Sequence, residues 1–249
     1  MKVLVVEGDA RATQEVVTAL ERSAQEVVRG LNRDDAKQLI HTHDGQLVVL
    51  VAVPFQSWQL QLLRELRGWD RPPYTLVTAL ENADLIALLE AGADVACLHP
   101  APEGLLDAHL RAFVRRKDQS AQEVAVPEVI QIRDLSIDNA RYEVRFAMTQ
   151  LPVTPAEFRI LAALGRRPGK VVPTSALFRE ALGYDVSPQQ AKDILKVHVR
   201  RIRNKIREAG GSTDYIWNIR GFGYLLERRS HTRGELLGSV EDEEEATAN

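Results

Sequence analysis

The stretch Ser187-Pro188-Gln189-Gln190-Ala191-Lys192-Asp193-Ile194-Leu195-Lys196-Val197-His198-Val199-Arg200-Arg201-Ile202-Arg203-Asn204-Lys205-Ile206-Arg207-Glu208 reads as one helix with two unlike sides. Ser187 is a suitable N-cap, Pro188 takes the first helical position, and Gln190 stands where a side chain can bond back to the cap. With Lys192 at zero and about 100° per residue, Ala191, Leu195, Ile202, Ile206 and Ala209 fall between about 260° and 320°, an apolar stripe for a core. Lys192, Lys196, Arg200, Arg203 and Arg207 fall between about 0° and 80°. Asp193 and Val197 extend that side to about 140°, and Arg201 borders it at about 180°. Such a ridge suits the major groove of double-stranded DNA, where Lys and Arg meet phosphates and Arg bonds guanine edges. Val197, in mid-ridge, is placed to touch a thymine methyl. A merely solvated basic face is the competing reading. It is disfavoured because the ridge has few acidic partners and a following hairpin carries Arg220 at its tip.

Outward from this helix the pattern is mixed α and β. Val129–Met148 alternates apolar and polar residues in short pieces, as antiparallel strands with one wet face do. Helical periodicity covers Pro155–Leu164 and Thr174–Leu182, and Tyr215–Leu226 reads as two strands around Gly221-Phe222-Gly223. Leu151-Pro152-Val153-Thr154-Pro155-Ala156-Glu157-Phe158-Arg159-Ile160-Leu161 resembles the opening of the OmpR/PhoB winged-helix effector domain. Pro168-Gly169-Lys170-Val171-Val172, Val197–Ile206 and Ile219-Arg220-Gly221-Phe222-Gly223-Tyr224 match its later motifs in order and spacing. The resemblance implies an α+β winged helix-turn-helix domain with Pro188–Glu208 as recognition helix. It also implies that His198, Arg200 and Arg203 hold phosphates, that Arg201 reads bases, and that Arg220 on the wing reaches a minor groove; Tyr224 is counted with that surface. From periodicity alone, His198 borders the apolar side and reads as a core histidine. Asp193 and Lys196 depart from the residues common on this helix in the family, so the DNA site is expected to differ from those of familiar relatives; Asn218, before the wing Arg, is a mild further change.

The first half alternates short apolar runs with amphipathic stretches. Strands are expected at Val3–Val6, Glu26–Arg29, Leu47–Val53, Tyr74–Thr78 and Val95–Leu98. Helices are expected at Ala12–Ser23, Asp34–Thr42, Trp58–Arg67, Asn82–Ala91 and Glu103–Arg116. Strands separated by helices imply an α/β doubly wound parallel sheet. Val3-Leu4-Val5-Val6-Glu7, Leu76-Val77-Thr78-Ala79, Ala91-Gly92-Ala93-Asp94 and His99-Pro100 resemble landmarks of the flavodoxin-like receiver domain of response regulators.

The resemblance fails where receivers do chemistry. An acidic pair to hold Mg²⁺, an acceptor Asp ending the third strand and a Lys are required. Glu7 is present but its partner position holds Gly8, the acceptor position falls at Val51 or Leu50, His99 replaces the Lys, and Ala96 stands at the switch aromatic. Thr78 remains. This is the pattern of a pseudo-receiver that takes no aspartyl phosphate, with Asp9 as the alternative, displaced acceptor. Active receivers of this family dimerise through charged pairs. Here Val95 and His109 occupy two of those positions and Leu88 and Leu89 add apolar surface, which points to a homodimer that needs no phosphate.

Composition fits this division. The chain has 249 residues, 45% of them hydrophobic, and a net charge of −3. Residues 1–120 carry a net −4, residues 121–231 a net +6 and residues 232–249 a net −5, so a polyanion is drawn to the middle segment alone. The domains expected are a receiver over 1–117, a linker over 118–126, the winged helix over 127–231 and a disordered acidic tail over 232–249. No apolar run approaches the ~20 residues of a membrane helix. Cys97 is the single cysteine, consistent with a reducing, cytoplasmic setting. No nucleophile–base set, metal cluster or cofactor loop is present, so no enzyme, metal or cofactor is expected; His41 and His43 lack accompanying ligands. A second reading makes the chain an interaction protein docking on RNA polymerase, which relatives contact through the loop corresponding to Leu182–Ser187.

Overall fold

The computed structural model describes residues 2–21, 26–30, 32–42, 47–69, 72–101, 104–119, 129–183, 186–212 and 215–228. The first domain runs β1 (Lys2–Val6), α1 (Ala10–Glu21), β2 (Glu26–Gly30), α2 (Arg33–Thr42), β3 (Leu47–Ala52), α3 (Ser57–Arg67), β4 (Tyr74–Ala79), α4 (Asn82–Ala91), β5 (Val95–Leu98) and α5 (Leu105–Gln119). Its five strands are all parallel in the order β2-β1-β3-β4-β5. Every residue of the central strands β3 and β4 is buried, the reason these segments read as unbroken apolar runs rather than alternating ones. Helix α1 begins two residues before the expected start because Asp9 caps it. Asp9 Oδ1 accepts from the backbone N–H groups of Arg11 at 2.9 Å and Ala12 at 3.1 Å.

The second domain opens with a four-stranded antiparallel sheet, β6 (Val129–Ile132), β7 (Leu135–Asp138), β8 (Glu143–Phe146) and β9 (Thr149–Leu151). Helix α6 (Pro155–Gly165), the short strand β10 (Val172–Pro173), α7 (Thr174–Leu182) and α8 (Pro188–Glu208) follow. The chain closes with the hairpin β11 (Ile216–Ile219) and β12 (Gly223–Leu226), which with β10 forms a three-stranded sheet. The fold is thus a doubly wound, receiver-like α/β domain followed by a winged helix. In the second domain capping boxes start α6, Thr154 with Glu157, and α8, Ser187 with Gln190. Gly183 ends α7 at φ 76°, a left-handed conformation that glycine adopts without cost.

One apolar cluster runs through both domains, and a second lies within the first domain. Helix α8 lays its apolar stripe (Ala191, Leu195, Val199, Ile202 and Ile206) into the second domain. Ile194 and Val197, farther round the helix, pack instead against the first domain's apolar cluster. Most of the expected linker, the acidic tail and His43 lie outside the described residues, as do positions 184 and 185 of the loop weighed for polymerase contact. Among the described residues no helix is long and apolar enough to cross a membrane.

Candidate nucleic-acid interface

The basic ridge of α8 is partly open and partly occupied. Lys192, Lys196, Arg200 and Arg207 are exposed, and so is Arg220 beside the turn of the β11–β12 wing. Asp193, the acidic residue on this side, accepts from the Gln189 side-chain amide at 3.0 Å. Phe222 at the wing tip is 66% exposed.

Several residues expected on the DNA surface are placed otherwise. His198 is fully buried: the helix turns it toward the first domain, where Nε2 lies 3.2 Å from the Asp94 carbonyl oxygen. Tyr224 is buried in the wing sheet opposite Asn218. Arg203 is half-buried and gives Nε and Nη2 to the Ile216 carbonyl at 3.1 and 2.6 Å, which ties α8 to the wing instead of presenting a cation to phosphate. Arg201 is turned inward, with Nη1 on the Leu89 carbonyl at 3.0 Å and Nη2 3.0 Å from Glu157 Oε1. Val197 is partly covered by the first domain.

Charged groups gather where the two domains meet. Asp94, fully buried at the entry to β5, holds Arg67 at 3.2 Å and accepts the Thr75 N–H at 2.8 Å. Its other oxygen accepts the N–H of Ala156, in the first turn of α6, at 2.8 Å. Burial alone would raise the Asp94 carboxyl, but Arg67 and these backbone donors together hold it below the ordinary carboxylate value. Glu157 is likewise fully buried, and Arg201 with Lys205 at 2.6 Å outweighs the same burial penalty. Burial, then the Arg201 charge, pushes the His198 imidazole down to about 4, so it is neutral near pH 7. Arg200 reaches Glu90 of α4 at 2.8 Å on the rim, and the Arg159 guanidinium stands 5.2 Å from the Tyr74 ring centre. Arg67, Glu90 and Glu157 were not singled out by sequence reasoning. Their only sequence signal is local, Glu157 closing the Thr154 capping box.

The proposed dimer face also needs correction. Leu88, Leu89, Val95 and His109 are all buried within the single chain. Leu88 and Leu89 face the first domain's own core and the α4–α8 contact, so these residues form no free apolar patch.

At the carboxyl ends of β1 and β3 the residues of receiver chemistry have other work. Glu7 pairs with Arg29 at 2.5 Å, and His99 Nε2 lies 3.2 Å from Glu15. The Thr78 hydroxyl is buried with no hydrogen-bond partner among the described residues, and Val51 is buried in the sheet. Gly8 packs so tightly that a Cβ there would drive into the carbonyl oxygens of Val51 and Val53. Asp9 donates its N–H to the Val53 carbonyl. The chain leaving β3 thus closes over the side of Gly8 on which a side chain would stand. A cleft of about 400 Å³ remains beside it, between Glu7, Asp9, Arg33 and Trp58. Cys97, pushed up to about 12 by burial, is an unreactive core thiol.

A receiver-like sheet joined to a winged helix defines a class of two-domain regulators, and comparison with known proteins agrees. The family model described as "Transcriptional regulatory protein, C terminal" matches residues 148–226. The alkaline phosphatase synthesis transcriptional regulatory protein PhoP of Bacillus subtilis (strain 168) is 31% identical over 233 residues, covering 91% of this chain and 96% of that one. The DNA-binding response regulator MtrA of Mycolicibacterium paratuberculosis is 27% identical, covering 90% and 96%. A solved structure of a RitR mutant, 21% identical, superposes with a TM-score of 0.67 over 92% of this chain and 99% of that one, a likeness of fold. The chain belongs to the OmpR/PhoB type of response regulators and is a DNA-binding transcription regulator.

Proposed function

We propose that the protein recognises a specific double-stranded DNA sequence through α8 and the β11–β12 wing, and that it does so without aspartyl phosphorylation. The observation carrying the second part is the packing at Gly8. A receiver needs a carboxylate there for Mg²⁺, and here the β3 exit backbone fills the space a side chain would need. Val51 offers no acceptor, and Asp9 spends its carboxylate capping α1. Support for DNA recognition comes from Lys192, Lys196, Arg200, Arg207 and Arg220, exposed on one helix and its wing. Homodimerisation belongs to this reading through surfaces other than Leu88, Leu89, Val95 and His109, because those are buried in the single chain.

The test treats the full chain with acetyl phosphate and Mg²⁺ and follows its intact mass and its affinity for a duplex selected from a random library. No phosphoryl adduct and an unchanged affinity are expected. An adduct at Asp9 accompanied by tighter binding would refute phosphorylation independence.

A further inference from the structure

We infer that Phe222, at the tip of the β11–β12 wing, is an apolar wedge that enters the minor groove beside the DNA segment read by α8 and selects a deformable pyrimidine–purine step there. The inference rests on the reading of α8 and the wing as the DNA-recognising surface.

The tip is built to hold one ring in solvent at a fixed place. Ile219 pairs with Gly223, so the loop between the strands is only Arg220-Gly221-Phe222. The Phe222 N–H donates to the Ile219 carbonyl at 3.0 Å and closes a tight turn whose third residue, Gly221, has φ 86°. Gly223 is pressed onto β10, where a Cβ would run into the Val172 carbonyl oxygen. The Phe222 carbonyl accepts the Thr174 N–H, at the start of α7, at 3.2 Å. The backbone is thus held on both sides of Phe222, yet its side chain is the most exposed aromatic among the described residues.

A single exposed apolar residue ordinarily calls for no explanation, because much of any protein surface is apolar. Phe222 is set apart by where it stands. Tyr142, the next most exposed aromatic, rests its ring on Phe158, whereas Phe222 projects from an apex two residues from the exposed Arg220. No acidic residue lies between Tyr215 and Leu226, so the wing itself does not repel a phosphate backbone from its tip.

Arg203 ties the base of the wing to α8, so the hairpin keeps a fixed place beside that helix. An α-helix fits the major groove, and across either backbone of that groove lies a minor groove. A hairpin fixed beside α8 therefore brings its tip to the backbone and minor groove that flank the α8 site. A phenyl ring has no hydrogen bond to offer there. What it gains is burial between bases that it partly separates. Separation costs least at TA and CA/TG steps, so the ring turns DNA deformability into a sequence preference.

The test uses the full chain, with Phe222→Ala and with Phe222→Leu, which keeps an apolar wedge. The probe is a duplex selected by the parent from a random library, with 2-aminopurine replacing adenine at successive positions of the flank. Its fluorescence rises where a base loses its stacking. The parent is expected to raise the signal at one flanking step, Phe222→Ala to abolish the rise, and Phe222→Leu to keep part of it. Phe222→Ala should melt with the parent and weaken binding by about three- to tenfold. The salt dependence of binding should not change, because an apolar contact releases no counterion. Replacing the flanking pyrimidine–purine step by a stiff A-tract should weaken the parent and leave Phe222→Ala indifferent. A Phe222→Ala variant that binds as tightly as the parent, or that still raises the 2-aminopurine signal, would overturn the wedge alone. A parent that selects no duplex would overturn the DNA-recognising surface and the wedge with it.

Discussion

Asp94 of the first domain accepts a 2.8 Å hydrogen bond from the backbone N–H of Ala156 in the second, so a carboxylate 62 positions away in sequence satisfies the start of α6. Thr154 already caps that helix through the Glu157 N–H, and Asp94 takes another of the donors left over at a helix start. The same carboxylate neutralises Arg67. Removing it leaves a buried guanidinium with no carboxylate bonded to it, only the Thr75 hydroxyl at 2.8 Å. Asp94→Ala is therefore expected to cost about 3–5 kcal/mol, in the range for breaking a buried ion pair. The double variant Asp94→Ala with Arg67→Met should recover part of that loss, since it removes the stranded charge as well. Chemical denaturation of the four proteins in a double-mutant cycle measures the coupling. Additive losses would show that Arg67 and Asp94 do not depend on each other.

His198 gives the folded chain a pH dependence of defined sign. Its imidazole is pushed down to about 4 from an ordinary 6.5, so its stabilising contribution is complete above 6.5 and lost as pH falls toward about 4. Arg201, Glu157 and Asp94 face it, and both carboxyls are held below their ordinary values, so they lose their contributions only at lower pH. The stability of the full chain should decline from pH 6.5 downward with a slope approaching ~1.4 kcal/mol per unit. Thermal unfolding across this range, in the parent and in His198→Gln, reads the effect. A parent profile as flat as the variant's would show that His198 is not the titrating group.

How much of this was legible beforehand differs between elements. The α8 stripe follows from periodicity, the Ser187 cap from residue type and the central strands from their unbroken apolar runs, whereas the Asp9 cap on α1 was not read. Burial of His198 follows from its angle at the edge of the apolar stripe, which periodicity reported and family likeness obscured. The Arg201 and Arg203 contacts were not legible. A helical wheel shows that an arginine leaves the helix on one side, but not whether a carbonyl from another element waits there. Leu88 and Leu89 show the same limit, since an apolar residue on a helix looks alike whether a core, a partner or a neighbouring domain covers it.

Arg203 and Arg220 should separate structural from recognition roles. Arg203 bonds the Ile216 carbonyl through two nitrogens, and hydrogen bonds to charged groups contribute about 1.5–3 kcal/mol. Arg203→Ala is expected to lower stability by about that amount and to weaken binding to specific and scrambled duplexes alike, by loosening the wing. Arg220 is exposed on the wing, so Arg220→Ala should leave the melting temperature within experimental scatter while reducing DNA affinity and its salt dependence. Titrations at two salt concentrations beside thermal melts distinguish the pair. A destabilised Arg220→Ala, or a fully stable Arg203→Ala, would reverse these assignments.

Under the proposed phosphorylation independence, aspartates placed at positions 8 and 51 should not introduce phosphoryl chemistry. In Gly8→Asp with Val51→Asp, an aspartate at position 8 would have to place its Cβ where the Val51 and Val53 carbonyl oxygens lie. The β3 exit would have to move, and with it the Asp9 N–H bond to Val53 that helps set the start of α1. Val51 itself is buried against the core of the sheet, so an aspartate there must either ionise in an apolar setting or drag the strand outward. The double variant is expected to unfold at a markedly lower temperature and to take no phosphoryl group from acetyl phosphate with Mg²⁺. Gly8→Ala alone, which adds a Cβ without charge, should account for a substantial part of the destabilisation. If Gly8→Ala were as stable as the parent, the backbone closure would be no barrier. If the double variant were then phosphorylated, the proposed phosphorylation independence would reside in two side chains and not in the fold.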